Sequence, residues 1–78
     1  MQQLRDSVKE VLMKLIINAV AEEVLLNISI TTLLEQRDIA ANSVAVVVNG
    51  VITPRSSWST TICQANDEIE IFSAVAGG

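Results

Sequence analysis

The sequence closes on Ala74-Val75-Ala76-Gly77-Gly78, and the main-chain carboxylate of Gly78 is the group best placed to do chemistry. Two residues without a Cβ can thread a narrow channel in another protein. The diglycine follows closely on Ile69-Glu70-Ile71-Phe72, an alternating run that reads as a strand. Other reactive groups are few. The chain has no histidine, which excludes imidazole acid–base chemistry and histidine metal ligation. Cys63 is the only thiol, and its neighbours Ile62 and Gln64 offer no cation to lower its pKa. It is read as a buried, inert thiol rather than a sulfur relay. Two carboxylate pairs, Glu22-Glu23 and Asp67-Glu68, suggest an acid–base couple, but a solvated turn accounts for each.

The elements that must position Gly78 are limited by size. Seventy-eight residues make one small domain. At ~0.05–0.15 kcal/mol per residue its stability is roughly 4–12 kcal/mol, which leaves little for a strained catalytic pocket. Half the residues are apolar, yet Trp58 and Phe72 are the only aromatics, so the core must be aliphatic. The net charge is −4, and Arg5, Lys9, Lys14, Arg37 and Arg55 are scattered. They form no patch to neutralise a row of phosphates, which argues against nucleic-acid binding. An acidic chain is steered instead toward a basic surface on a partner. A single cysteine precludes an internal disulfide and suits a reducing compartment. No apolar run approaches the ~18 residues of a membrane span. The first twenty residues, with Asp6 and Glu10, read as neither signal nor transit peptide.

Leu4, Val8, Val11, Leu12, Leu15 and Ile16 fall at helical spacing and predict an amphipathic helix over about residues 3–16. Lys14-Leu15-Ile16-Ile17 reads equally as a strand, with a helical or disordered extension ending near Met13. Ala19 to Glu23 is then a turn into a second strand, Val24-Leu25-Leu26. Ser29 is an N-cap for a short helix through Arg37, held by packing of Ile30, Leu33 and Leu34. Val44 to Val48 does not alternate and predicts a strand buried on both faces. Asn49-Gly50 is the strongest turn signal and predicts a hairpin of the primed type with Val51-Ile52 as its second arm. Pro54 stops that arm. Ser56 to Ser59 is a loop or single helical turn with the Trp58 indole folded onto the core. Asn66-Asp67 is another turn, and Glu68 to Phe72 a final strand. The order is that of an α+β domain with one helix over a mixed sheet.

Four motifs occur in order: Val48-Asn49-Gly50, Pro54-Arg55-Ser56-Ser57-Trp58, Asn66-Asp67-Glu68-Ile69-Glu70-Ile71, and Ala74 to Gly78. Together they resemble the ThiS-like sulfur carrier proteins of thiamine biosynthesis, a branch of the ubiquitin-like β-grasp fold. The resemblance covers Met13 to Gly78 and is clearest from Leu33 onward. It implies a β-grasp domain over 13–73, an extension at 1–12 and a flexible diglycine tail at 74–78. Two turns depart from the family pattern: Asn18-Ala19 stands where Asn-Gly is frequent, and Asn66-Asp67 where Gly-Asp is usual. The first puts the hairpin geometry in question. The second is mild, because Asn tolerates positive φ.

The resemblance implies a protein co-substrate rather than an enzyme. Gly78 is the sulfur-carrying residue, with Gly77 and Ala76 as the tail that delivers it. A ThiF-like adenylating enzyme, using ATP and magnesium, activates the carboxylate. A persulfide, supplied through a cysteine desulfurase or another donor, converts it to a thiocarboxylate for thiazole synthase. No cofactor is held by the chain itself, no metal is implied, and the expected compartment is the cytoplasm or a plastid stroma. Val75, Phe72 and Arg55 are candidates for partner docking, against core packing for the first two and a solvated charge for the third. A molybdopterin-synthase small-subunit type of carrier shares the tail and the chemistry. A ubiquitin-like modifier and a structural domain with an accidental diglycine are the other readings. The approach Ser73-Ala74-Val75-Ala76 and the Pro-Arg-x-x-Trp element favour the thiamine branch.

Overall fold

A computed structural model describes residues 11–73. Five strands form one mixed sheet: β1 (Leu12–Ile17), β2 (Val20–Leu25), β3 (Val44–Val48), β4 (Val51–Thr53) and β5 (Glu68–Ser73). Their spatial order is β2-β1-β5-β3-β4. β1 and β5 run parallel at the centre, and the other pairs are antiparallel. One helix, α1 (Ile30–Gln36), covers one face. This is the β-grasp arrangement, and the α+β expectation holds.

Residues 12–16 are strand, which overturns the helical reading over 3–16 for the part that is described; residues 1–10 lie outside it. Apolar side chains at five of the six positions of β1 mimic helical spacing. The burial pattern distinguishes the two: Met13, Leu15 and Ile17 are buried, whereas Lys14 between them is exposed. The second strand also begins earlier than expected. It runs Val20–Leu25, in register from Leu12↔Leu25 to Ile17↔Val20, and Ala19 to Glu23 is not the turn. The reversal is made by Asn18 and Ala19 alone, at φ of 50° and 70°. Positive φ at both central residues is what a primed turn demands, so the hairpin forms without glycine. Glu22 and Glu23 consequently stand in a strand rather than a solvated turn.

Ser29 caps α1 as expected: Thr32 N–H donates to its Oγ at 3.1 Å. The helix is too short to persist alone. Ile30, Leu33 and Leu34 are buried against Leu15, Ile17, Val46 and Ile69 of the sheet. At about 1.5–3 kcal/mol per fully buried aliphatic side chain, this contact far outweighs the modest propensity of the helix. Asn49 and Gly50 turn β3 into β4 at φ of 50° and 82°, as the Asn-Gly pair predicts. Pro54 ends β4, and Arg55–Ser57 make one 3-10 turn. Trp58 then folds inward to 3% exposure and donates its Nε1–H to the Thr53 carbonyl at 2.8 Å.

β3 departs from the expectation of a strand buried on both faces. Val46 is fully buried, and Val44 and Val48 pack on the core, but Ala45 and Val47 lie half-buried on the opposite face. Among the described residues a single helix covers one side of the sheet, and none of them packs over the other.

Candidate functional site

β5 is the element that carries the candidate chemistry. Its register places it between β1 and β3, with Ile17↔Ile69 on one side and Val44↔Ser73 to Val48↔Ile69 on the other. The buried Ile69 anchors it from the core face. Its entry is fixed by a polar bridge: Gln64 N–H donates to Asp67 Oδ2 at 2.8 Å, and Asn49 Nδ2 donates to Asp67 Oδ1 at 3.0 Å. The Glu68 N–H donates to Asn49 Oδ1 at 2.9 Å. Asn66 takes φ of 68°, the conformation for which asparagine substitutes for glycine. The strand is therefore firmly held where it begins, and its last described residue is Ser73.

Gly78, Gly77, Ala76 and Val75 lie outside the described residues. Phe72 is 51% exposed on the uncovered face of β5, opposite Ala45, and is not core. Alternation along β5 explains this: Ile69 and Ile71 point to the helix side, so Glu68, Glu70 and Phe72 point away. Arg55 is exposed at the start of the 3-10 turn. Thr53, Val46 and Ile71 align across the sheet, and β4 runs parallel to β5. Arg55 therefore leaves the sheet at the end where β5 reaches Ser73. Phe72 and Arg55 belong to the same end of the molecule.

The register adds residues that sequence reasoning missed. Val47 pairs with Glu70 and with Ile52, so all three share the uncovered face with Phe72 and Ala45. Ile52 is 74% exposed, more than any other large apolar side chain described. The signal was present in the Asn-Gly turn, which fixes Val48↔Val51 and hence the side on which Val47 and Ile52 fall. Reading β3 as doubly buried concealed it.

Cys63 is buried, and its N–H donates to the Ile28 carbonyl at 2.8 Å. Burial first, and the Asp67 charge second, push its thiol up to about 11. A thiol held protonated is a poor nucleophile, in keeping with the inert reading. Glu22 accepts two hydrogen bonds from the Arg37 guanidinium, at 2.6 and 3.2 Å. These bonds are the main cause that holds its carboxyl below the usual range; burial opposes them, and the Arg37 charge assists. The pair ties β2 to the end of α1 and is structural. Among the described residues no three His, Cys, Asp or Glu side chains group as a metal site. None of the described helices is long and apolar enough to cross a membrane.

The fold defines a small β-grasp domain whose central strand, β5, is the last element among the described residues. Comparison with known proteins specifies it further. The ThiS family model matches residues 5–78, and the chain belongs to the ThiS family. It is 33% identical over 66 residues to the sulfur carrier protein ThiS of Escherichia coli strain K12, covering 85% of this chain and 100% of that protein. The crystal structure of the thiamine biosynthesis protein ThiS from Geobacter metallireducens superposes with a TM-score of 0.75 at 28% identity. That match covers 85% of this chain and 100% of the other.

Proposed function

We propose that this protein is a sulfur carrier of thiamine biosynthesis, a co-substrate whose Gly78 carboxylate is converted to a thiocarboxylate. The observation that carries the reading is the position of β5. A strand held at the sheet centre leads directly to the diglycine, in a chain that belongs to the ThiS family.

A carboxylate is a poor acyl donor because oxide is a poor leaving group. In the proposed sequence a ThiF-class enzyme binds ATP and magnesium, and a Gly78 carboxylate oxygen attacks the α-phosphorus with loss of pyrophosphate. A persulfide sulfur from the donor protein then attacks the acyl carbon and AMP leaves. Cleavage of the resulting acyl disulfide by a thiol leaves sulfur on the Gly78 carbon and the thiol oxidised to a disulfide. The thiocarboxylate is the nucleophile delivered to thiazole synthase. Gly77 and Ala76 keep the tail slim enough to enter both partners, and Val75 supplies an apolar grip in the channel.

The uncovered sheet face docks the partners. Phe72, Val47 and Ile52 form its apolar centre, Glu70 lies among them, and Arg55 sits at the rim. Aromatic and aliphatic side chains at the middle of a contact, ringed by charge, are the usual anatomy of such an interface. The work takes place in a reducing compartment, the cytoplasm or a plastid stroma, which suits a chain with a single cysteine.

The test is reconstitution with a ThiF-class enzyme, ATP, magnesium and a persulfide donor. Intact-protein mass should rise by the difference between sulfur and oxygen. Phe72→Ala and Ile52→Ala should each raise KM for the carrier about tenfold, the effect of losing roughly 1.4 kcal/mol of contact. Unchanged KM in both would remove the sheet face from the proposal.

A further inference from the structure

β1 stops at Ile17, whereas β5 runs on to Ser73. The odd-numbered residues of β5, and Asp67 just before it, turn their main-chain groups toward β1. Asp67 C=O accepts from Ile16 N–H at 2.9 Å, and Ile69 C=O accepts from Asn18 N–H at 2.9 Å. The next donor in that row, Ile71 N–H, has no strand opposite it. It donates to the Asn18 side-chain Oδ1 at 2.9 Å instead. Asn18 thus ends the row of pairing with its side chain while its backbone turns the chain away into β2. Beyond this point no strand among the described residues flanks Ile71–Ser73 on the β1 side, although β3 pairs the other side as far as Val44↔Ser73. β5 is an interior strand at Glu68–Ile69 and an edge strand at Ile71–Ser73.

Edges of this kind are ordinarily blunted by lysine, proline or a bulge. Ile71-Phe72-Ser73 has neither residue, and no bulge interrupts its register with β3. We propose that the half-edge at Ile71–Ser73 is a docking rail on which an extended strand of the adenylating enzyme adds to the sheet, a contact that rests on the carrier function proposed above. Continuity selects this occupant. The rail is continuous in sequence with residues 74–78, and of the two proteins that take the tail the adenylating enzyme is the one that must set the free carboxylate against ATP, so a fixed register serves it first. The charge is complementary too: Glu70 adjoins the rail in a chain of net charge −4, which suits a strand bordered by lysine or arginine. Strand addition also fixes register. From Ser73 the five residues to Gly78 span at most ~17 Å, and a slip of one residue displaces the carboxylate by ~3.4 Å and inverts each side chain. A main-chain clamp at Ser73 therefore sets where the carboxylate falls relative to ATP.

The experiment measures amide hydrogen exchange of wild-type protein, free and with a ThiF-class enzyme, alongside affinities of Ser73→Pro and Ser73→Ala. The Ser73 N–H faces the open edge, so proline removes it while leaving the β3 pairing of Phe72 in place. The Ser73 amide should exchange at least about tenfold more slowly in the complex, and Ser73→Pro should bind about tenfold more weakly while Ser73→Ala binds normally. Unchanged exchange at Ser73 in the complex overturns the rail, whatever the folding of the proline variant. Concentration-dependent protection in the free protein also overturns it, by assigning the edge to a second copy. A wild-type complex that protects Ser73 yet gains no sulfur contradicts the carrier reading alone.

Discussion

Asn49 Nδ2 donates to Asp67 Oδ1 at 3.0 Å, joining the β3–β4 turn to the turn that enters β5. With the Glu68 N–H donating to Asn49 Oδ1, one side chain fixes both the reversal and the start of the strand that leads to the diglycine. Asn49 also holds φ of 50°. Asn49→Ala loses two hydrogen bonds and forces alanine into the left-handed region, for a cost of about 2 kcal/mol. A thermal melt should fall by about 10 °C.

Ala19 carries a cost that glycine would relieve. Its φ of 70° places a Cβ where only glycine is comfortable. Ala19→Gly should raise stability by about 0.5–1 kcal/mol after allowance for the greater freedom of glycine in the unfolded chain. Urea unfolding with an unchanged m-value measures it.

What the sequence revealed and what it concealed follow from these same turns. Asn49-Gly50, Ser29 and Trp58 were legible because each satisfies a local rule: positive φ, an N-cap oxygen, and the largest apolar surface in the chain. The β1–β2 hairpin was displaced because Ala19 obeys no such rule, and the register imposed by Leu15 and Ile17 overrides it. Val47 and Phe72 illustrate a different limit. An apolar strand residue looks the same whether its face meets a helix or is left open, and only the position of α1, the one helix among the described residues, tells the two faces apart. Gly78 lies outside the described residues, so its role stays a proposal drawn from the diglycine and from the family.

The Glu22–Arg37 pair gives a pH signature. The carboxyl is held below its ordinary value in the folded state, so its contribution is complete above the unfolded pKa and is lost as pH falls through the folded one. Both side chains are about one-third exposed, so solvent screening limits the effect to less than about 1 kcal/mol. Glu22→Gln should flatten part of the loss of stability below about pH 4.5, and the difference from wild type should shrink in high salt.

Cys63 should resist modification. With its thiol pushed up to about 11 and its side chain buried, iodoacetamide should label the native protein far more slowly than the urea-unfolded chain at neutral pH. Cys63→Ala should retain sulfur acceptance. Its cost, a small cavity beside Ile28, is felt in the melt alone.

The central claim is that the Gly78 carboxylate is the group that carries sulfur, and intact-protein mass after reconstitution tests it most directly. Wild-type protein should gain the mass difference between sulfur and oxygen, with the change located by fragmentation at Gly78. Protein lacking Gly78, or extended by one residue, should keep its melting temperature and gain nothing. Sulfur appearing on the truncated chain, or at Cys63, would contradict the account.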